Sequence, residues 1–61
     1  MCEPRDVWEN RVNGNICMIK EVERPEFGEP IVRFAILRGP DTSDGHQPLE
    51  QFLRYWRKVE G

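Results

Sequence analysis

The side chains able to do chemistry in this sequence are two thiols, Cys2 and Cys17, one imidazole, His46, a hydroxyl three residues before it, Ser43, and the aspartates Asp41 and Asp44. Nucleophilic catalysis needs a thiol or hydroxyl held beside a base. His46 is the only histidine and lies in the run G-P-D-T-S-D-G-H-Q from Gly39 to Gln47, while Cys17 sits in an apolar stretch. That placement makes His46 an exposed loop residue whose charge follows pH, and no base stands next to either thiol. Zinc asks for four ligands at characteristic spacing; Cys2, Cys17 and His46 supply three at most, with no C-x-x-C or H-x-x-x-H pair. The run D-T-S-D-G lacks the ligand series and closing Glu of a calcium loop, and suits turn formation through the aspartates' own backbone. Gly39 and Gly45 are too far apart, in too acidic a neighbourhood, for a phosphate cradle. The expectation is a chain with no catalytic residue, no metal and no cofactor, whose function lies on its surface.

Length points the same way. At 61 residues the chain has room for one domain, which buries only about 60% of the surface its unfolded form exposes and has little depth for a pocket. Hydrophobic residues make up 38% and charged residues 33%, a globular profile too rich in Trp and Phe for a disordered tail. No apolar run approaches the roughly 18 residues that span a bilayer. The first ten residues carry Glu3, Asp6 and Glu9 where a secretory signal is basic and then apolar, so the protein is expected in the cytoplasm, off the membrane. Two cysteines, one of them in a terminus expected to fray, are too few for the disulfide framework of a small secreted domain, and both should be free.

The elements that must position any surface follow from periodicity. Asp6–Val12 reads as a strand ending at Asn13-Gly14-Asn15, a tight-turn signal. Ile16–Val22 follows, with Ile16, Met18 and Val22 on one face and Cys17 and Ile19 on the other. Glu23–Pro30, with two prolines and a glycine, is a longer charged hairpin loop. Ile31–Arg38 is the clearest strand, with Val32, Phe34 and Ile36 facing the core. Gly39–Gln47 reads as loop, with room for one or two residues of strand near His46. Pro48–Val59 then carries Leu49, Phe52, Leu53, Trp56 and Val59 at i, i+3, i+4, i+7 and i+10, the stripe of an amphipathic helix starting on a proline. The fold class expected is α+β, a three-stranded antiparallel meander with one C-terminal helix docked by Leu49, Phe52, Leu53 and Trp56. A two-layer sandwich and a small, partly open SH3-like barrel both satisfy this pattern. Trp8 fits either core or surface.

Net charge is −2, but the charges are polarised. Glu21, Glu23, Glu26 and Glu29 crowd one stretch around Arg24, with Phe27 near the tip of the loop, which would offer a basic protein partner a negative patch with one apolar anchor. Arg54, Arg57 and Lys58 gather near the C-terminus and, with Arg33, Arg38 and the indoles of Trp8 and Trp56, form the alternative footprint, one for nucleic acid. The binding candidates are therefore Glu23, Glu26, Phe27 and Glu29 on one side and Arg54, Arg57 and Lys58 on the other. Protein binding leads, because the acidic balance weakens the drive for phosphate contact.

The runs N-R-V-N-G-N-I-C-M-I-K-E-V, I-V-R-F-A-I-L-R-G and Q-P-L-E-Q-F-L-R-Y-W-R-K-V resemble small uncharacterised phage and prophage proteins built of a strand, a Gly turn, two further strands and a terminal helix with a P-x-x-x-F start. The likeness spans most of residues 7–59; the acidic hairpin and the D-T-S-D-G loop depart from it. The resemblance implies an accessory protein with no catalytic residue to carry over, one that binds and blocks a host protein, a nucleoprotein or a defence complex. It says nothing of oligomeric state.

Overall fold

A computed structural model describes residues 2–39 and 44–59. Five strands and one helix follow in the order β1 (Val7–Asn10), β2 (Ile16–Glu23), β3 (Ile31–Arg38), β4 (Asp44–Pro48), α1 (Leu49–Tyr55) and β5 (Trp56–Lys58). They form an α+β domain with a single antiparallel sheet in the order β4-β3-β2-β1-β5. β4 and β5 are its two edges and do not pair, so the sheet does not close into a barrel. α1 connects one edge to the other.

Three strands were expected and five are present. The segment assigned to loop yields β4, paired with β3 from Ile31↔Pro48 to Ala35↔Asp44; the other loop residues assigned there, 40–43, lie outside the described residues. Gly45 makes this pairing work, because its missing side chain leaves the space filled by the ring of Phe34 opposite: a Cβ there would come within 2.8 Å of that ring. A sequence reading takes Gly-His-Gln as turn composition, whereas the fold uses the glycine as a seat for an aromatic ring.

The helix is also shorter than its apolar stripe. It ends at Tyr55; Trp56 turns extended (φ −123°, ψ 146°) and the chain pairs with β1. The stripe's spacing fits a helix throughout, but the free edge of β1 offers partners that a helix end cannot use. Arg11 N–H donates to the Tyr55 carbonyl at 2.7 Å and Val59 N–H to the Val7 carbonyl at 2.9 Å. Pairing thus overrides local propensity, and Leu53 and Val59 are left exposed, at 43% and 38%.

Two register shifts correct the expected facing of β2. Between Ile19 and Glu21, and again opposite Ile16 and Cys17, one residue is skipped in the β2–β3 ladder, bulging Lys20 on β2 and Leu37 on β3. The Lys20 bulge shifts the alternation by one, so Val22 packs against the core with Cys17 and Ile19, not with Ile16 and Met18. The bulged Lys20 reaches across to Asp44 at 2.9 Å.

The core is Cys2, Trp8, Cys17, Ile19, Val32, Phe34, Phe52 and Trp56, with Val22, Ile36 and Leu49 against it. Cys2 is therefore buried and its segment does not fray: Arg5 N–H donates to Ile19 O and Ile19 N–H to Asp6 O, both at 2.8 Å. Trp8 is core. The helix projects Phe52, fully buried, between Trp8 (edge-on, 5.2 Å between ring centres), Phe34 (5.6 Å) and Trp56 (stacked, 5.4 Å). Replacing Phe52 by Ala removes the common partner of three rings and is expected to cost about 3–5 kcal/mol. Thermal melting checks this; an unchanged midpoint contradicts the packing.

Candidate binding surface

The β2–β3 connection, residues 24–30, is shaped by Pro25, by Gly28 at φ +110°, where an L side chain is strained, and by Pro30, whose carbonyl accepts the Leu49 N–H at 2.8 Å. That last bond ties the loop's end to the start of α1. The loop therefore leaves the sheet on a fixed base. At its tip Phe27 is 85% exposed, the most exposed large apolar side chain among the described residues.

The acidic residues named for this region divide. Glu21 and Glu23 lie across from β3, and the Arg33 guanidinium bonds Glu23 and approaches Glu21 at 3.6 Å. Their charge is largely spent within the sheet. Glu26 and Glu29 are exposed and make no ion pair among the described residues. The structure therefore leaves Glu26, Phe27 and Glu29 together on the loop, with Glu23 at its foot. Beside them, Glu29, Pro48, Glu50, Gln51, Arg54 and Tyr55 line a shallow cleft of about 230 Å³.

The basic set does not form one footprint. Arg54, on α1, pairs with Glu50 one turn earlier at 2.9 Å. Arg57 and Lys58 are on β5, where Arg57 holds Glu9 with two nitrogens at 2.8 and 3.1 Å and Lys58 lies 3.5 Å from Asp6. Exposed pairs of this kind contribute only about 0–1 kcal/mol to stability, so their main effect is to cancel charge that would otherwise attract phosphate. Trp56 is core, as its place on the apolar stripe implies, and so is Trp8, which the sequence left open between core and surface; at 4% and 6% exposed, neither offers a face to a base.

Nor do the groups suited to chemistry converge. His46 is exposed on β4 opposite Arg33, whereas Cys17 is fully buried on the inner face of β2. Ser43 and Asp41 lie outside the described residues. Among the described residues no three His, Cys, Asp or Glu side chains come together as a cage for a metal ion. Both thiols are free. Burial pushes the Cys17 thiol up to about 12, against a hydrogen bond from the Trp8 backbone that lowers it and the nearby Cys2 that raises it further. Burial likewise raises Cys2. Neither is a thiolate, the reactive form, at neutral pH.

A raised thiol means that the folded chain holds the proton more tightly than the unfolded one. The stability this gives is complete below pH 9.0, the ordinary thiol value, and is lost as pH rises toward about 12. Melting midpoints across that range should fall less steeply in a Cys17→Ala protein than in the parent. Both thiols should resist alkylation until the chain unfolds; rapid native labelling of Cys17 contradicts its burial.

Searches for similarity to family models, to curated proteins and to solved structures find no match to this chain, so the functional reading stands on the surface itself.

Proposed function

We propose that this chain is a non-catalytic protein-binding module that presents the β2–β3 loop to a basic partner. The observation that carries this reading is Phe27, exposed at 85% between two glutamates that no described cation neutralises. An aromatic held in water at a loop tip is disfavoured unless a partner covers it, and aromatic anchors ringed by polar residues dominate binding energies at protein interfaces. Glu26 and Glu29 add charge complementarity that steers a basic partner onto the loop.

The finer reading is an accessory phage protein, acting in the cytoplasm, that inhibits a host protein, a nucleoprotein or a defence complex; it rests on the resemblance of the strand and helix runs. The strand order, with a short helix between β4 and β5 and with β5 returning to β1, supports a partly open SH3-like barrel. No helix among the described residues is long and apolar enough to cross a membrane. Nucleic-acid binding through Arg54, Arg57 and Lys58 is the weaker reading, since each of the three already faces a carboxylate.

A pulldown from host lysate with and without nuclease, followed by affinity measurement on the captured protein, separates the two. Protein binding gives a partner that survives nuclease. Its affinity falls about 30-fold or more in Phe27→Ala, the loss of roughly 2 kcal/mol typical of an anchor. It also falls with salt in the parent but much less in a Glu26→Lys, Glu29→Lys double variant. Loss of all binding on nuclease treatment, with affinity for short DNA or RNA abolished by changing Arg54, Arg57 and Lys58, overturns the proposal.

A further inference from the structure

The β1–β2 turn holds a reactive arrangement made of backbone and amide groups. The chain's three asparagines are all here: Asn10, Asn13 and Asn15. They cap one another's turn. Asn10 Oδ1 accepts the N–H groups of Val12 at 2.8 Å and Asn13 at 3.1 Å, and Asn13 Oδ1 accepts the N–H of Asn15 at 2.9 Å. Gly14 stands at φ +78°, where a side chain would be strained but would meet no atom within 4 Å, and Asn13 and Gly14 are exposed.

We propose that Asn13 is a self-modification site, at which the folded chain converts asparagine to aspartate and isoaspartate at a rate gated by one hydrogen bond. The Gly14 backbone nitrogen, its proton taken by hydroxide, bonds to Cγ of Asn13. The Cγ–Nδ2 bond breaks and Nδ2 leaves as ammonia, its extra proton coming from water. A five-membered imide results. Water then adds at Cγ and breaks its bond to the Gly14 nitrogen to give aspartate, or adds at the Asn13 backbone carbonyl and breaks that carbon's bond to the same nitrogen to give isoaspartate; in either case the nitrogen regains its proton from water. Water is the only co-reactant and no redox change occurs.

Each feature of the turn bears on one part of this step. Glycine puts no side chain beside the nitrogen, and the space where one would stand is open. The Asn15 N–H on Oδ1 draws electron density from Cγ and so prepares it for attack. The brake is the nucleophile itself, because the Gly14 N–H donates to the Asn10 carbonyl at 3.0 Å and must be released first. The other asparagines are barred: the nitrogen after Asn10 is that of Arg11, bonded to Tyr55 O at 2.7 Å, and Asn15 is buried and followed by the β-branched Ile16. Conversion adds a negative charge two residues from Arg11. The isoaspartyl form also inserts a carbon into the turn that sets the β1–β2 register.

Peptide mass mapping of the full chain, incubated folded and in urea at neutral and mildly alkaline pH, tests this. The expected result is slow conversion confined to Asn13 in the folded chain, faster in urea and faster at higher pH. Asn10→Ala, which removes the caps that tighten the turn, should speed conversion in the folded chain and leave the rate in urea unchanged; tryptophan emission reports whether that variant folds, and if it does not, the folded-versus-urea comparison of the parent decides. Conversion at Asn10 or Asn15 ahead of Asn13, equal rates folded and in urea, or none in the folded chain while the urea-treated chain converts completely would each overturn the proposal.

Discussion

Phe52 sits at the centre of an aromatic cluster that joins both halves of the sheet. Its ring lies against Trp8 of β1, Phe34 of β3 and Trp56 of β5, so a single side chain on a seven-residue helix ties together strands from either side of β2. A helix that short does not persist in water by its own propensity. It forms because burying Phe52 and Leu49 requires it, and because its ends are fixed by backbone bonds from Leu49 to Pro30 and from Arg11 to Tyr55. The chain's small size makes this arrangement necessary. With a sheet that does not close, apolar burial has to come from one aromatic cluster lying under one helix.

That same economy accounts for what the sequence shows and what it hides. Val32, Phe34 and Ile36 were legible as a core face because β3 alternates cleanly until Leu37, and Phe52 and Trp56 because their i, i+4 spacing holds in the helix and at its end. β5 was hidden, since Trp56-Arg57-Lys58 continues a helical stripe and only the vacant edge of β1, a non-local partner, draws it into a strand. β4 was hidden by Gly45, whose value lies in what it lets Phe34 do across the ladder. The facing of Val22 was misread because a bulge at Lys20 has no local signature: it appears only when β2 and β3 are put in register, each strand skipping one residue.

The surface was partly legible for a similar reason. The crowding of glutamates is visible in the chain, but which of them are spent depends on β3 bringing Arg33 opposite Glu21 and Glu23. The basic cluster near the C-terminus looked continuous only as a helix. Once residues 56–58 become a strand, Arg57 and Arg54 stand on different elements and each meets its own carboxylate. Of the four crowded glutamates, Glu26 and Glu29 make no ion pair among the described residues and flank the exposed Phe27, which is why the functional reading rests there.

The fold requires residues 56–59 to belong to the same cooperative unit as β2 and β3. Native-state amide exchange measures this directly. The N–H groups of Arg11 and Val59, which donate to Tyr55 and Val7, should exchange as slowly as those of Cys17 and Val32, at the free energy of global unfolding. Fast exchange at Arg11 and Val59 beside a protected β2–β3 ladder would contradict the account, because the C-terminal segment would then lie outside the fold that Phe52 is said to hold together.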